Sequence, residues 1–279
     1  MSTLKLTIAY DGTRYVGWQR QAAGDSVQGL IEEAVARLAG GPVSLHGAGR
    51  TDAGVHALGQ VASVTVDVSH TPETWTRALN ATLPADIRVL RTDVAADDFH
   101  ARFSATGKTY WYRLICAPVV SPFDLRYAWH VTYALDVDAM RAALARFVGR
   151  HDFAAFQGAR TDIRDTIRTI ETVAIVDTPL HGLTDLAWPT LARPATASAS
   201  AAAPDRSPLA AASGRVLTFA ISGNGFLRHM VRSVVGTCVD VGRGRWPPEA
   251  MTDLLAGRDR RLVGPTAPAC GLFLVEVRY

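Results

Sequence analysis

The chain has 279 residues, 48% of them apolar, with 29 Lys or Arg against 26 Asp or Glu and a formal net charge of +3. This allows a sizeable core in one large domain or two ordinary ones, and it falls well short of a histone-like polycation, so a polyanionic partner is permitted and not demanded. No apolar run nears the roughly 20 residues that cross a bilayer, and the N-terminus carries no signal-peptide pattern. Cys116, Cys238 and Cys270 are scattered and odd in number, without metal-ligand spacing. A soluble cytoplasmic protein in a reducing compartment is therefore expected, with no metal and no membrane. Only Lys5 and Lys108 are lysines. The arginine bias suits bidentate phosphate contacts, and a GC-rich genome would produce it equally.

In chain order, Leu4, Leu6, Ile8 and Tyr10 alternate with polar or small residues and predict a first strand. Asp25 and Gln28 have capping-box spacing ahead of a helix whose apolar face is Val27, Leu30, Ile31, Ala34, Val35 and Leu38, with Gly40 as its stop. A short strand over 43–46 and a longer one over 60–66 follow. Thr71 and Pro72 open a second helix carrying Trp75, Ala78 and Leu79, and a strand over 87–94 closes the unit. The order is β-α-β-β-α-β.

The second half reads the same way. Strands are expected over 109–116, 166–176, 215–222 and 272–279. A helix over 139–148 turns Met140, Leu144, Phe147 and Val148 inward and stops at Gly149, and helices over 228–241 and 248–257 follow. The fold class is α+β: two ferredoxin-like (RRM-like) βαββαβ halves, 1–103 and 104–279, around a central cleft. No residue-level repeat links them, so the duplication rests on element order alone. The Ala, Pro, Ser and Thr of 190–214 lack apolar periodicity, and that stretch reads as a flexible insertion in the second half.

Three stretches stand out for chemistry. Residues 47–57 hold Gly47, Gly49 and Gly54 with Arg50, Asp52 and His56. Glycine costs roughly 0.5–1 kcal/mol in a helix or strand interior, so this is a loop whose glycines either let the backbone turn sharply or clear space for a ligand. A phosphate-binding loop is excluded, because Arg50-Thr51-Asp52 follows where Lys-Ser/Thr is required. Asp52 is then either a hairpin carboxylate satisfied by backbone donors or a nucleophile or base held ionised by a nearby Arg. On the strand from Lys108 to Arg113, alternation places Tyr110 with Tyr112 and Trp111 with Arg113. Such a strand is either a base-stacking platform or ordinary aromatic core. Finally, Gly223-Asn224-Gly225 leads into Arg228, His229 and Arg232. Arginines at a helix start oppose the macrodipole, which suggests an anionic partner; a solvated helix face is the alternative. His56 and His100 are possible acid-base groups and equally structural hydrogen bonders. Asp11-Gly12-Thr13 reads as a turn.

Taken together, these stretches resemble the tRNA pseudouridine synthase A (TruA) family. The matching residues are Tyr10-Asp11-Gly12-Thr13, Gly17-Trp18-Gln19-Arg20-Gln21, Ser26-Val27-Gln28, Gly47 through Ala57 with Gly59-Gln60-Val61, Asp98 through Ala105, Tyr110, Phe226 with His229-Met230-Val231-Arg232, and Gly271-Leu272. The resemblance covers nearly the whole chain, and the Gly-Arg-Thr-Asp-Ala-Gly-Val-His core is highly specific. It implies isomerisation of uridine to pseudouridine at positions 38, 39 and 40 of the tRNA anticodon stem-loop, without cofactor or metal, by a homodimer. It implies that Asp52 is the catalytic aspartate, that Tyr110 stacks on the target base and assists proton removal, and that Arg232 pairs with Asp52. Arg50, Thr51, Arg14, Arg20, Arg102 and Arg228 are candidate substrate-binding residues, with Arg160 a further phosphate contact. The 190–214 insertion is a departure from the family pattern, away from the matched motifs. Two other classes fit less well: a non-catalytic RNA-binding module would not need Asp52, and a glycoside hydrolase normally needs a second carboxylate across the bond.

Overall fold

The computed structural model describes residues 2–67, 70–159, 163–180 and 214–279. Arg160 and nearly all of the 190–214 insertion lie outside the described residues.

The first strand, β1 (Ser2–Tyr10), buries Leu4, Leu6, Ile8 and Tyr10 along one face, as its alternation requires. Helix α1 (Val27–Ala39) ends at Gly40, which takes φ 73° where a side chain would be strained. Its N-cap is Ser26, not Asp25: the Ser26 side chain accepts from the Gly29 amide at 3.2 Å. Gln28, expected to complete the cap, instead donates to the Leu45 carbonyl at 2.9 Å and accepts from the Arg20 amide at 3.1 Å. It thereby ties α1 to β2 (Leu45–Gly47). Then come β3 (His56–Val66), α2 (Pro72–Thr82), capped by Thr71 and buried through Trp75 and Leu79, and β4 (Ile87–Ala95).

The second half begins with β5 (Gly107–Cys116). A short helix α3 (Pro122–Leu125) and a short strand β6 (Trp129–Val131) follow it, neither anticipated from periodicity because neither is long enough to show two full repeats. Helix α4 (Val137–Ala145) starts earlier than expected, where Asp136 accepts from the Ala139 amide, and ends before Gly149. Its last turn tightens to i→i−3 bonds, so Phe147 stays buried while Val148 is exposed rather than inward. Gly149, at φ 112°, opens an unanticipated strand β7 (Gly149–Asp152). The chain continues through β8 (Ile167–Pro179), β9 (Arg215–Gly223), α5 (Met230–Gly242), α6 (Ala250–Gly257) and β10 (Leu272–Arg278). Helix α5 begins two residues later than the expected start at Arg228, because His229 leaves the helical region at φ 63°.

Ten strands form one mixed sheet in the order β4-β1-β3-β10-β5-β9-β8-β7, with β2 also on β3 and β6 on β5. Within residues 2–95 the order is β4-β1-β3-β2; within the later residues β10-β5-β9-β8 repeats that pattern, fourth-first-third-second. The seam is narrow. His56 and Ala57 of β3 pair in parallel with Phe273 and Leu274 of β10, which pairs antiparallel with β5 on its other edge. The last strand in sequence thus lies mid-sheet and brings the loop ahead of β3 beside β5. Helix α5 packs so deeply that Ser233, Thr237 and Asp240 are buried alongside Met230, Val234, Val235 and Cys238.

Candidate active site

The loop between β2 and β3 carries Asp52, and its path is set by contacts that leave no room for side chains. A Cβ on Gly47 would lie 2.4 Å from the Trp18 indole nitrogen, and one on Gly17 (φ 110°) 2.6 Å from the Thr51 carbonyl. The Trp18 amide donates to that same carbonyl at 3.0 Å. Gln60 donates to the Gly49 carbonyl at 2.9 Å, and the Tyr10 and Thr51 hydroxyls share a 2.8 Å hydrogen bond. The Val55 amide closes the turn on the Asp52 carbonyl at 3.1 Å, with Gly54 at φ 77°. The expectation that these glycines clear space for a ligand is therefore corrected: Gly47 makes room for Trp18, Gly49 faces the Lys108 chain and Gly54 supplies a left-handed turn.

Three cationic or imidazole groups converge on the Asp52 carboxylate from the start of α5. Arg232 Nη1 donates to Oδ2 at 3.3 Å, His229 Nε2 lies 3.4 Å from Oδ2, and Arg228 Nε lies 3.8 Å from Oδ1. The Arg232 side chain is only 15% exposed, and its Nε donates to the Ala267 carbonyl at 2.7 Å, which fixes the guanidinium plane. A carboxylate at a helix N-terminus also has the sign that the macrodipole favours, which answers the penalty noted for Arg232. Arg50, adjacent in sequence, makes no ion pair among the described residues; side chains two apart on an open loop need not meet. Burial, then the repulsion of Arg232 and Arg228, lowers the His229 pKa against the pull of Asp52. A left-handed, non-glycine His229 costs about 1–3 kcal/mol. Opposite it, a Cβ on Gly158 would sit 2.7 Å from its Nδ1.

Tyr110 on β5 is 7% exposed, its ring edge-on to Phe226 with centroids 5.1 Å apart. Burial, with Tyr10 and Asp52 nearby, pushes its phenol pKa far up, so the O–H is retained. Burial pushes the Tyr10 phenol up to about 12 as well. Asp52, Arg228, Arg232 and Tyr110 are thus brought together, and Thr51 is buried as a brace for the loop. Arg14 and Arg20 are spent elsewhere, on Asp86 at 3.5 Å and on Glu32 and Glu33 at 3.4 and 3.7 Å. Arg102 is exposed and lies over the Phe103 ring. His56 is a structural group: it is buried, accepts from the Gly12 amide, faces Asp11 and stacks on Phe273. Asp11 itself caps a turn by accepting from the Thr13 amide.

Three contributors were not singled out from sequence. His229 and Phe226 stood inside the matched motifs but carried no assigned role. Lys108 was noted as one of two lysines and as the start of the aromatic strand, without a role of its own. It lies along Gly49, with its pKa lowered first by burial and then by Arg102 and Arg168, and forms no ion pair among the described residues.

Residues 6–104 and 143–279 match a family model described as tRNA pseudouridine synthase. The chain belongs to the tRNA pseudouridine synthase family. Asp52 lies in the first matched range of that family, and Arg228, His229 and Arg232 in the second. Curated relatives named tRNA pseudouridine synthase A bridge the gap that holds Tyr110. One from Syntrophotalea carbinolica is 44% identical, covering 100% of this chain and 97% of its own length. One from Nitratidesulfovibrio vulgaris is also 44% identical, with both chains covered in full. One from Myxococcus xanthus is 39% identical across 100% of this chain and 92% of the relative.

Proposed function

We propose that this member of the family isomerises uridine to pseudouridine in tRNA, at positions 38, 39 and 40 of the anticodon stem-loop, with Asp52 as the carboxylate acting on the ribose. The observation that carries the reading is the Asp52–Arg232 pair, which joins two motifs 180 residues apart. The reaction breaks the N1–C1′ bond, turns the uracil and forms a C5–C1′ bond. The proton on C5 is lost and N1 gains one, so the product has the atoms of the substrate.

A carboxylate starts this either by attacking C1′ or by removing the C2′ proton to give a glycal. Either route needs the Asp52 carboxylate as the acting group, and the Arg232 guanidinium is its opposite charge at 3.3 Å. The target base must leave the RNA stack, at a cost of a few kcal/mol, and stacking on an aromatic ring returns about 1–3 kcal/mol. With Tyr110 only 7% exposed, a base stacks there after Phe226 yields. The retained Tyr110 O–H makes it a hydrogen-bonding partner in proton removal from C5 rather than a standing phenolate base. Arg50, Arg102, Arg228 and Lys108, none of them held by a strong internal ion pair, are the phosphate contacts, and binding weakens with salt accordingly. Arg14 and Arg20 contribute only by exchanging their carboxylates for phosphate. The working form is a homodimer in the cytoplasm.

The test is a pseudouridine map of cognate tRNAs from cells with and without the gene, together with purified protein on unmodified transcripts. Loss of pseudouridine at 38–40 on deletion, restored by the protein in vitro, is the expected result. RNA binding without isomerisation would replace the reading with a binding module, and release of free uracil would replace it with a hydrolase.

A further inference from the structure

The two oxygens of Asp52 are held unequally. Oδ2 faces both Arg232 Nη1, at 3.3 Å, and His229 Nε2, at 3.4 Å. Among the described residues, Oδ1 has only Arg228 Nε, at 3.8 Å, on a side chain that is half exposed. Two features of the backbone accompany the imidazole contact. His229 adopts φ 63°, a conformation that side chains rarely take, and its side chain makes no capping bond to α5. Gly158, whose amide donates to the Arg228 carbonyl at 2.8 Å, is the position where any Cβ would strike the imidazole. A cap alone would be better supplied by Ser, Thr, Asp or Asn.

Resting on the functional reading above, we propose that His229 is a positioning residue that, with Arg232, pins Oδ2 of Asp52, so that Oδ1 is the oxygen that acts on the ribose. The charged groups facing the imidazole are Asp52 from the β2–β3 loop, Arg228 beside it, Arg232 on α5 and Arg260 from the segment after α6. Three cations against one carboxylate, together with burial, keep the ring neutral. A neutral ring set 3.4 Å from Oδ2 adds no charge, so it orients the carboxylate without the tight ion pairing that would blunt its reactivity, and a small turn of the ring would let its N–H donate to Oδ2. Arg228, the loosest of the three, is free to leave Oδ1 for an RNA phosphate when substrate enters.

The experiment compares His229→Gly and His229→Asn with the unaltered protein. Glycine keeps the left-handed backbone and deletes the ring; asparagine tolerates that backbone and restores an N–H donor. His229→Gly is expected to slow single-turnover isomerisation at saturating tRNA by about 10-fold or more, with tRNA affinity within about two-fold of the original. His229→Asn regains at least about half of that loss on a logarithmic scale. Independently of turnover, Asp52→Asn lowers the His229 imidazole pKa followed by ¹H–¹⁵N NMR in the free protein, because the one attractive charge is gone. An unchanged rate in His229→Gly, a loss confined to tRNA affinity, or no recovery in His229→Asn overturns the proposal. If the unaltered protein makes no pseudouridine, or His229→Gly does not fold, the titration decides alone: an imidazole indifferent to Asp52→Asn overturns the contact.

Discussion

The two segments that meet at Asp52 are held by different physics. The β2–β3 loop is fixed by neutral contacts: the Trp18 amide on the Thr51 carbonyl, Gln60 on the Gly49 carbonyl, the Tyr10–Thr51 hydroxyl pair and the Gly47–Trp18 approach. None of these involves the carboxylate. The start of α5 is the reverse. Its arginines and histidine converge on one carboxylate, at the cost of a left-handed His229, and the helix behind them is anchored by near-complete burial. The loop therefore positions Asp52 without its ion pairs, whereas the cations depend on Asp52 for their electrostatic partner. Chemistry and placement are separable by mutation.

The largest expected effect comes from removing the charge and leaving the loop alone. Asp52→Asn lowers turnover by more than about 10³-fold, while the melting temperature and tRNA binding change little; a collapsed melting transition would show that the ion pairs hold the loop after all. Next is Arg232→Lys, which keeps a charge but loses the fork that serves both Asp52 and the Ala267 carbonyl. A fall in kcat of about 10- to 100-fold with a smaller change in KM is expected. Gly47→Ala attacks the other side of the comparison. Its Cβ would meet Trp18 at 2.4 Å, so a stability loss of about 1–3 kcal/mol is expected in thermal or urea melts, with turnover falling because Asp52 shifts. Normal activity there would mean that the cations alone can place the carboxylate.

The smallest effect is a pH dependence. Burial holds the His56 pKa below its ordinary value. The unfolded chain takes up that proton near pH 6.5, as the folded chain resists it. Stability from this group is complete above that pH and declines as pH falls below it, by at most about 1.4 kcal/mol per pH unit. Melts between pH 7.5 and 5.5 should show the decline, and His56→Asn should flatten it.

Much of the strand and helix order was legible because each half alternates or repeats on its natural period: the faces of β1, α1 and α2 carried the burial they advertised. The short elements α3, β6 and β7 were not, since three or four residues cannot display a period. At the site, the resemblance selected Asp52, Tyr110 and Arg232; local reading alone favoured a hairpin carboxylate for Asp52 and core packing for Tyr110, and left the arginines of the α5 start evenly poised. His229 was matched within a motif but given no role, because its left-handed backbone angle and its approach to a glycine 71 positions earlier leave no composition signal. Lys108 escaped because a single lysine on a strand says nothing about where its counter-ions are.

By itself the sequence determined the family, the alternation of elements and the presence of an acid on a glycine-built loop, because these depend on local residue types and their spacing. Only the tertiary structure decided what the glycines do and which carboxylate each arginine meets. Gly47 yields to Trp18 rather than to a ligand, and Arg14 and Arg20 are paired with carboxylates while Arg228 and Arg232 turn to Asp52. The reason is that a close approach or an ion pair depends on separation in space, and β10, the last strand of the chain, sets that separation by joining β3 to β5 in the middle of the sheet.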